Sequence, residues 1–409
     1  MNPQPLLQFI SLIIVISYFS GLIYRKTNIP DLIWLMLLGF LLGPVTGVFD
    51  TGVFRRASPV ISSISIILIT FEAGLDLDSQ TFKVIFPKTF LLTIVTFIFI
   101  MAGTSVLGPV VYPDLTFIDS MILGVILGGL STVAVASLRN QLQLKTLDDA
   151  WDVLSLESTL VDPIRVIIAI ALIKLAVIGS LQPMNIVKDM FYILIMGTAT
   201  GLAVGVIWSV ILHRLRTFSN HYMITLAILL QVYYIAEYFA GSGGGTIACF
   251  TFGFTISNLQ MLSRWLGYSL RVDIKQLTDM NKEISFLLKS YYFVYVGLIV
   301  NIDQRLLLAG VIITLMIIVM RFISGSITGL IYDFSSEQID VIRLTYPLGT
   351  SALVFSQLPL IYDVEGVVFN DPHLYTNIIF PVVLGTIIFS SLIGPIIFKQ
   401  RLGKVQGSA

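Results

Sequence analysis

The sequence predicts an all-α polytopic membrane protein with about thirteen transmembrane helices. The chain has 409 residues, of which 56% are hydrophobic and only 12% are charged, and its mean hydropathy is +0.92. Since soluble chains carry about 25% charged residues, this composition excludes a soluble enzyme, a nucleic-acid-binding protein and a disordered chain. The net charge of zero gives no electrostatic reason to expect a polyanionic partner. One cysteine and three histidines exclude a disulfide framework and a histidine–cysteine metal cluster.

Apolar stretches close to the ~20 residues that span a bilayer are separated by Pro, Gly and charged residues. The thirteen stretches are 6–24, 31–49, 59–76, 88–112, 117–138, 151–178, 185–212, 221–240, 243–262, 284–301, 305–331, 341–361 and 374–398. They leave only short connections, so we expect a single transmembrane domain over residues 1–409 and no soluble domain. The first stretch follows neither a basic segment nor a cleavage site, and we interpret it as the first span instead of a signal peptide.

An odd number of spans places the termini on opposite sides of the membrane, and the distribution of Lys and Arg indicates which side is which. The basic connections hold Arg25, Lys26, Lys83, Lys88, Arg139, Lys145, Arg214, Arg216, Arg264, Arg271, Lys275, Lys282, Arg343, Lys399, Arg401 and Lys404. The opposite connections hold only Arg55, Arg56, Lys188 and Arg305. We therefore expect a cell-membrane protein with its N-terminus outside and its C-terminus in the cytoplasm.

Two predicted spans carry small and hydroxyl-bearing residues at mid-membrane. The span 117–138 contains Ser131 and Thr132, and the span 341–361 contains Gly349, Thr350 and Ser351. Such residues allow close helix packing. They are also typical of two broken helices in the halves of an inverted repeat, whose freed backbone groups face an ion cavity. The residues leave both explanations open.

The span 151–178 contains the most informative charges. Glu157 and Asp162 lie five residues apart, about 140° around a helix, so they need not bind one ligand. Ser158 lies four residues before Asp162 and on the same face. These hard oxygens suit a small alkali cation or a proton. Pro163 removes a backbone donor and so frees the Thr159 carbonyl as a further possible ligand.

Both carboxylates also have a structural interpretation. A charge at the bilayer centre costs about 2.5–3.5 kcal/mol on insertion scales, so we expect Glu157 to form a buried ion pair, for which Arg321 is the best candidate. The corresponding alternative for Asp162 is an ion pair with Arg165, three residues further along the helix. An aspartate held in that way would not exchange protons near neutral pH. We therefore expect Asp162 to bind the exchanged ions, with Arg165 paired elsewhere or extended toward the interface.

The other buried charges are less informative. Glu72 is either an interfacial acid or part of a cytoplasmic funnel that attracts cations. Glu237 and Lys289 receive no role. The chain has no Gly-x-x-x-x-Gly-Lys-Ser/Thr and no Gly-x-Gly-x-x-Gly motif. We therefore expect neither a nucleotide nor any other cofactor, and a transporter of this sequence would run on ion gradients.

Short sequence motifs along the whole chain resemble those of a known protein family. They are Leu38–Pro44, Phe71–Asp76, Ser131–Thr132, Glu157–Ser158, Asp162–Pro163, Val294–Leu298, Arg321 and Gly349–Ser351. In this order they resemble the monovalent cation:proton antiporter superfamily, and within it the NhaP-type sodium/proton antiporters. The Glu-Ser…Asp-Pro spacing, combined with the later arginine, is the most specific part of the resemblance.

The resemblance implies an ion site at Asp162, where Na⁺ would bind, with further oxygens from Ser158 and Thr132. It implies that Glu157 pairs with Arg321. It also implies a homodimer whose protomers have a dimerisation part and a six-helix core that moves like an elevator. Partners would be monovalent cations, protons, membrane lipids and a second copy of the chain, with no nucleic acid and no nucleotide.

The chain departs from the NhaP-type pattern at two positions. These proteins usually have Asn before the essential Asp, where this chain has Val161, and Asp after the Thr of the fifth span, where it has Val133. With these polar partners absent, the fifth span is more similar to that of the potassium-efflux branch. We expect a secondary active transporter, not an enzyme, that exchanges Na⁺ or Li⁺ for H⁺ electroneutrally at one Asp. The alternatives are a K⁺/H⁺ antiporter and a channel-like potassium efflux protein.

Overall fold

The computed structural model describes residues 4–27, 31–47, 51–77, 79–142, 144–178, 183–215, 221–258, 263, 274–300, 303–363, 368–369, 371 and 373–406. These residues are almost all helical, and no β-strand occurs among them. The predicted all-α class is therefore confirmed.

The helices follow one another with short connections. In chain order the described α-helices are α1 (Gln4–Thr27), α2 (Asp31–Phe40), α3 (Thr51–Leu75), α4 (Ser79–Val111), α5 (Phe117–Leu127), α6 (Thr132–Leu142), α7 (Asp148–Ile178), α8 (Pro183–Leu215), α9 (His221–Ala240), α10 (Gly244–Ser257), α11 (Ile274–Ile299), α12 (Gln304–Ile331), α13 (Ser336–Leu344), α14 (Thr350–Phe355), α15 (Leu358–Tyr362), α16 (His373–Ile388) and α17 (Gly394–Gln406). Two π-helical turns, Leu41–Val45 and Phe389–Ile393, extend α2 and α16.

The long apolar helices make the chain a multi-pass membrane protein. Within the described residues, six helices are long and apolar enough to cross a membrane, or seven if the bent pair α5–α6 counts as one span. Four shorter apolar helices lie at Ser11–Gly21, Ile33–Val45, Gly244–Ser257 and Thr350–Tyr362. The long helices α7 and α11 fall outside both groups because of their charged residues. The number of thirteen spans and the orientation of the termini stay predictions.

The chain divides into two compact units. The first consists of Met1–Val60, Ile85–Val161 and Leu287–Ala409, and the second of Ile61–Val84 and Asp162–Phe286. The boundary falls inside four helices, α3, α4, α7 and α11, each of which contributes residues to both units.

In the second unit, α10 packs against α8 through small residues. A methyl group on Gly197 would lie 2.8 Å from the Gly244 carbonyl oxygen, and one on Gly205 would lie 2.7 Å from Thr255 Cβ. The intervening Gly201 would collide with Ala248 in the same way. This four-residue spacing lets two backbones approach closely, as small-residue stripes do in membranes.

In the first unit, glycines bring α2 against α11. A methyl group on Gly39 would overlap the Val294 carbonyl oxygen and lie 3.0 Å from the Gly297 Cα. Gly297 makes the reciprocal approach to the Met36 carbonyl oxygen. The helix pair can therefore pack only with glycine at these positions.

Candidate functional site

The fifth predicted span is interrupted between α5 and α6. The two helices meet at 43°, and Gly128–Ser131 connect them. In an uninterrupted helix the Ser131 N–H would bond the Leu127 carbonyl. Here the Ser131 N–H donates to the Pro347 carbonyl oxygen over 2.8 Å, and the Leu127 carbonyl accepts the Tyr346 hydroxyl over 3.3 Å. Both freed backbone groups thus bind partners in residues 345–349.

The twelfth predicted span is interrupted in the same way between α13 and α14. The Tyr346 N–H, which a continuing helix would donate to the Ile342 carbonyl, donates to Ser390 Oγ over 3.0 Å. The Ile342 carbonyl accepts instead from Arg321 Nε over 2.9 Å. The Leu348 N–H donates to Thr386 Oγ1 over 3.2 Å. Side chains of α12, of α16 and of the π-helical turn that follows α16 therefore replace the missing backbone hydrogen bonds.

The two interruptions lie against each other. A methyl group on Gly349 would come within 2.6 Å of both Ser131 Cβ and Ser131 Oγ, so glycine is required at this position. Ser131 also caps α6, since its Oγ accepts the Ala134 N–H over 3.3 Å. Thr132, the first residue of α6, is exposed, whereas Ser351 in the first turn of α14 is buried. A hydroxyl-bearing residue therefore lies in the first turn of each helix that follows an interruption, Thr132 in α6 and Ser351 in α14.

A buried ion pair joins α7 and α12 in the first unit. Arg321 donates from Nη1 to Glu157 Oε1 over 2.7 Å and from Nη2 to Glu157 Oε2 over 2.8 Å. Glu157 is 1% exposed and Arg321 is fully buried. Arg321 Nη1 also donates to Thr96 Oγ1 over 3.2 Å, and the guanidinium carbon lies 5.1 Å from the ring centroid of Tyr346. This two-pronged geometry is the strong form of an arginine–carboxylate pair.

Asp162, the predicted exchange residue, lies in the second unit beside Arg165. Arg165 Nη2 donates to Asp162 Oδ1, and the two side chains form an ion pair within α7. Asp162 is 6% exposed and Arg165 is fully buried. The expectation that Arg165 would pair elsewhere or extend to the interface does not hold in this structure. The physical reason is the three-residue spacing, which places the two charges on neighbouring turns of one helix face.

The predicted neighbours of Asp162 lie in the first unit. Ser158 Oγ and Thr159 Oγ1 both donate to the Ser155 carbonyl oxygen, over 2.8 Å and 3.0 Å, which leaves their oxygen lone pairs as acceptors. Thr132 also belongs to that unit, whereas Asp162 is the first residue of the second unit. The combination of these four residues in one ion site stays a prediction.

The remaining buried charges differ in what they contact. Glu72 is half-buried in the last turn of α3. Glu237 Oε1 accepts the Gly243 N–H over 2.8 Å and the Gly245 N–H over 3.2 Å, and so holds the turn between α9 and α10. Gly241 and Gly243 in this turn have φ values of 89° and 99°, which favour glycine. The sequence analysis assigned no role to Glu237. The glycine-rich segment that follows this acid was the local pattern that could have indicated its role in the turn.

Sequence reasoning missed the side chains that hydrogen-bond the backbone at the two interruptions. Tyr346, Ser390 and Thr386 satisfy backbone groups there, and Thr96 bridges Arg321 to Ser324 through a 2.8 Å hydrogen bond. Pro347 after Tyr346 was the only local signal, because the residue before a proline is disfavoured in a helix. The other three residues are ordinary hydroxyls in apolar helices, and nothing in their spacing sets them apart.

Comparison with known proteins places this architecture in one family. The family described as "Sodium/hydrogen exchanger, transmembrane" matches residues 11–402. The K(+)/H(+) antiporter NhaP of Alkalimonas amylolytica is 23% identical over 381 residues, which is 92% of this chain and 63% of that protein. The probable Na(+)/H(+) antiporter 3 of Methanocaldococcus jannaschii is 23% identical over 184 residues, 44% of this chain and 46% of that protein. The chain thus spans less than two thirds of the length of the curated relatives it matches.

The fold is similar to that of a solved antiporter. The structure of the sodium proton antiporter MjNhaP1 from Methanocaldococcus jannaschii at pH 8 superposes with a TM-score of 0.78. The match covers 96% of this chain and 99% of that one at 16% sequence identity. An electron-microscopy structure of the same antiporter gives the same TM-score at 17% identity. The likeness covers nearly the whole chain and concerns the fold.

Proposed function

The chain belongs to the transmembrane sodium/hydrogen exchanger family, and on that basis we propose that it exchanges a monovalent cation for a proton at Asp162. The observation that best supports this proposal is the burial of the Asp162 carboxylate, which is 6% exposed in a helix predicted to span the membrane. While Arg165 holds it, the carboxylate would not exchange protons, so the proposal requires this ion pair to open. A transported cation would take the place of the guanidinium, and a proton would neutralise the carboxylate instead.

Asp162 is better suited to this exchange than Glu157. The Glu157 carboxylate uses both oxygens on Arg321, which also holds the Ile342 carbonyl, so releasing Glu157 would disturb three helices. The Asp162–Arg165 pair lies within one helix, so opening it would not by itself separate two helices. Glu157 and Arg321 are accordingly the structural pair of this proposal.

The single carboxylate of Asp162 leads to electroneutral exchange. It binds either one Na⁺ or one proton, so the site carries the same charge in both states. One cation exchanged for one proton then moves no net charge, and Val161 supplies no second titratable group. A potassium diffusion potential imposed with valinomycin should leave the rate of exchange unchanged. A rate that follows the potential would exclude 1:1 exchange.

Na⁺ or Li⁺ is the proposed cation, and K⁺ is the second candidate. K⁺ is favoured by the relative from Alkalimonas amylolytica, which is named a K(+)/H(+) antiporter, and by Val133 and Val161, where NhaP-type proteins usually have polar residues. We further propose that Ser158, Thr132 and the Thr159 carbonyl contribute oxygens to the ion site, and that Glu72 lines a cytoplasmic funnel. The protein would be a homodimer in the cell membrane, and its six-helix core would move during transport.

Proteoliposomes test the proposal. The purified protein is reconstituted with an internal pH dye, and Li⁺, Na⁺ and K⁺ are added in turn to dissipate an imposed pH gradient. We expect dissipation by Na⁺ or Li⁺, its loss in Asp162→Asn, and its retention in the matched control Asp149→Asn, whose side chain is exposed at the start of α7. Exchange retained in Asp162→Asn would refute the role of Asp162, and dissipation by K⁺ alone would favour the second candidate.

A further inference from the structure

Hydroxyl-bearing side chains line the contact between α4 and α12 in the first unit. They belong to Thr89, Thr93, Thr96, Ser324 and Thr328, and each residue is at most 3% exposed. Thr96 Oγ1 donates to Ser324 Oγ over 2.8 Å and accepts from Arg321 Nη1 over 3.2 Å. Buried polar groups are almost always hydrogen-bonded, so each of the five hydroxyls needs a partner.

Four of the five hydroxyls bind a partner within the protein. Besides the pair just described, Thr89 Oγ1 donates to the Ile85 carbonyl over 3.1 Å, and Thr328 Oγ1 donates to the Ser324 carbonyl over 3.0 Å. Thr93 Oγ1 differs, because it is buried and has no hydrogen-bond partner among the described residues. Leaving a buried hydroxyl unsatisfied is unfavourable, which indicates a partner beyond these residues.

The helices α4 and α12 run antiparallel where the hydroxyls meet. Thr96 of α4 bonds Ser324 of α12. Seven residues further along α4, a methyl group on Gly103 would lie 2.7 Å from Met316 Sδ, and Met316 comes eight residues earlier than Ser324 in α12. Residue numbers therefore rise along α4 as they fall along α12, and residues on one helix face recur every three or four positions.

This register places Thr93 beside Thr328. Thr93 lies three residues before Thr96, and Thr328 lies four residues after Ser324, so both are about one helical turn from that hydrogen bond and in the same direction. The Thr328 hydroxyl gives its proton to a carbonyl and keeps its lone pairs as acceptors, and so does the hydroxyl of Thr89, one turn further along α4. One hydroxyl donor and two hydroxyl acceptors form the partner set that a buried water requires.

We propose that a water molecule binds between α4 and α12, where it accepts from the Thr93 hydroxyl and donates to the hydroxyls of Thr328 and Thr89. Buried waters make about three hydrogen bonds to polar groups that otherwise lack partners. The site lies one turn from Thr96, so the water extends the hydrogen-bond network that holds Arg321 along the α4–α12 contact. The proposal lies wholly within the first unit and does not depend on which ion the protein exchanges.

A double-mutant cycle tests whether Thr93 and Thr328 share this water. Thr93→Val and Thr328→Val each remove one hydroxyl and nearly keep the side-chain shape. We expect each purified variant to melt about 2 °C or more below the wild type, as the loss of one hydrogen bond allows. The double variant should lose less than the sum of the two shifts, because the second substitution removes a partner of a water that is already lost.

The matched control is Thr104→Val, on the same helix and equally buried. The Thr104 hydroxyl donates to the Ile100 carbonyl of its own helix over 2.8 Å. Its substitution should therefore combine additively with Thr328→Val. In addition, a high-resolution map of the wild type should show a density peak within hydrogen-bond distance of Thr93 Oγ1 and Thr328 Oγ1.

Three results would overturn the proposal. A Thr93→Val variant that melts above the wild type would mean that the hydroxyl has no partner, because removing an unsatisfied group stabilises. Additive shifts in the double variant, or a map with no peak between the two threonines, would exclude a shared water. If Thr93→Val does not fold, Thr93→Ser should melt above Thr93→Ala, since only serine keeps the hydroxyl, and equal melting would again overturn the proposal.

Discussion

At the scale of single residues, two buried carboxylates of α7 differ in what holds them. Glu157 is bound through both oxygens by an arginine from another helix, and that arginine holds a third element as well. Asp162 is bound by Arg165 from its own helix. The sequence predicted the first pair, since Arg321 is the best mid-span cation for Glu157, but it treated the pairing of Arg165 with Asp162 as the alternative, and that expectation was wrong. The sequence could not determine the partner of Arg165, because its two possible arrangements differ only in side-chain conformation.

Replacing Arg165 should make the stability of the protein depend on Na⁺. In Arg165→Gln the buried carboxylate of Asp162 loses its ion pair with Arg165, at a cost of about 3–5 kcal/mol for a broken buried pair. Bound Na⁺ would restore the counter-charge, and ligands stabilise the state they bind. We expect the melting temperature of Arg165→Gln, measured at alkaline pH, to rise more steeply with NaCl than that of the wild type. N-methyl-D-glucamine chloride at equal ionic strength is the reference salt.

Arg165→Lys, which keeps the positive charge, should respond to Na⁺ like the wild type. Equal NaCl dependence in Arg165→Gln and the wild type would contradict the idea that the cation replaces the guanidinium.

Removing Arg321 should destabilise the protein more than neutralising Glu157. Arg321→Met leaves a buried carboxylate, at about 3–5 kcal/mol, and also frees the Ile342 carbonyl, at about 1–3 kcal/mol for an unsatisfied buried acceptor. Glu157→Gln leaves Arg321 with that carbonyl and with Thr96. Thermal melting of the two purified variants gives the order. A fully stable Glu157→Gln that no longer exchanges ions would instead indicate that Glu157 binds the cation directly.

At the scale of elements, the sequence indicated the positions of the two helix interruptions but not the hydrogen-bond partners of their backbone groups. Small and hydroxyl-bearing residues at Ser131 and Gly349 indicated where the helices could break, and both chain interruptions fall there. The partners of the freed backbone groups were not predictable, because Tyr346, Ser390 and Thr386 are brought in by tertiary packing. A hydrogen bond between residues 219 positions apart, such as that of Tyr346 with Leu127, leaves no local pattern.

A methyl group at Gly39 should be far less tolerated than one at Gly21. Gly39→Ala would place Cβ against the Val294 carbonyl and the Gly297 Cα, and overpacking of this kind costs about 1–3 kcal/mol or more. At Gly21, inside α1, no atom lies within 4 Å of the added methyl group, and alanine should gain up to about 1 kcal/mol of helix propensity. Size-exclusion chromatography after heating compares the two variants. Equal recovery of both would contradict the close approach of α2 and α11.

At the scale of the whole molecule, composition determined the fold class. The low charged fraction and the repeated apolar stretches predicted an all-α membrane protein, and the structure confirms that class. Some helix boundaries also followed, because Pro, Gly and charge end the apolar runs, as at Gly241–Gly245. Others did not: α3, α4 and α11 begin at Thr51, Ser79 and Ile274, whereas the predicted stretches begin at 59, 88 and 284. The resemblance implied two parts in each protomer, but the boundaries of the two compact units were not predicted, since one of them cuts through α7 between Val161 and Asp162, where the sequence has no linker.

The predicted orientation can be tested with single cysteines. Cys249 is fully buried and gives a low labelling background. Lys188 and Asp149 are both exposed and lie on connections that the positive-inside rule assigns to opposite sides. We expect a membrane-impermeant maleimide to label Lys188→Cys in intact cells and Asp149→Cys only after permeabilisation. The reverse pattern would show that the N-terminus is cytoplasmic.

The most direct measurement counts protons released when Na⁺ binds. Calorimetric titration of the purified protein with NaCl, repeated in buffers with different ionisation enthalpies, gives the number of protons exchanged per cation, since competing ligands are thermodynamically linked. If Asp162 binds the two ions in turn, the wild type and Asp149→Asn release protons as Na⁺ binds, approaching one per Na⁺ when Asp162 is protonated beforehand, and Asp162→Asn releases none. Na⁺ binding without proton release in the wild type, or undiminished release in Asp162→Asn, would contradict exchange at this carboxylate.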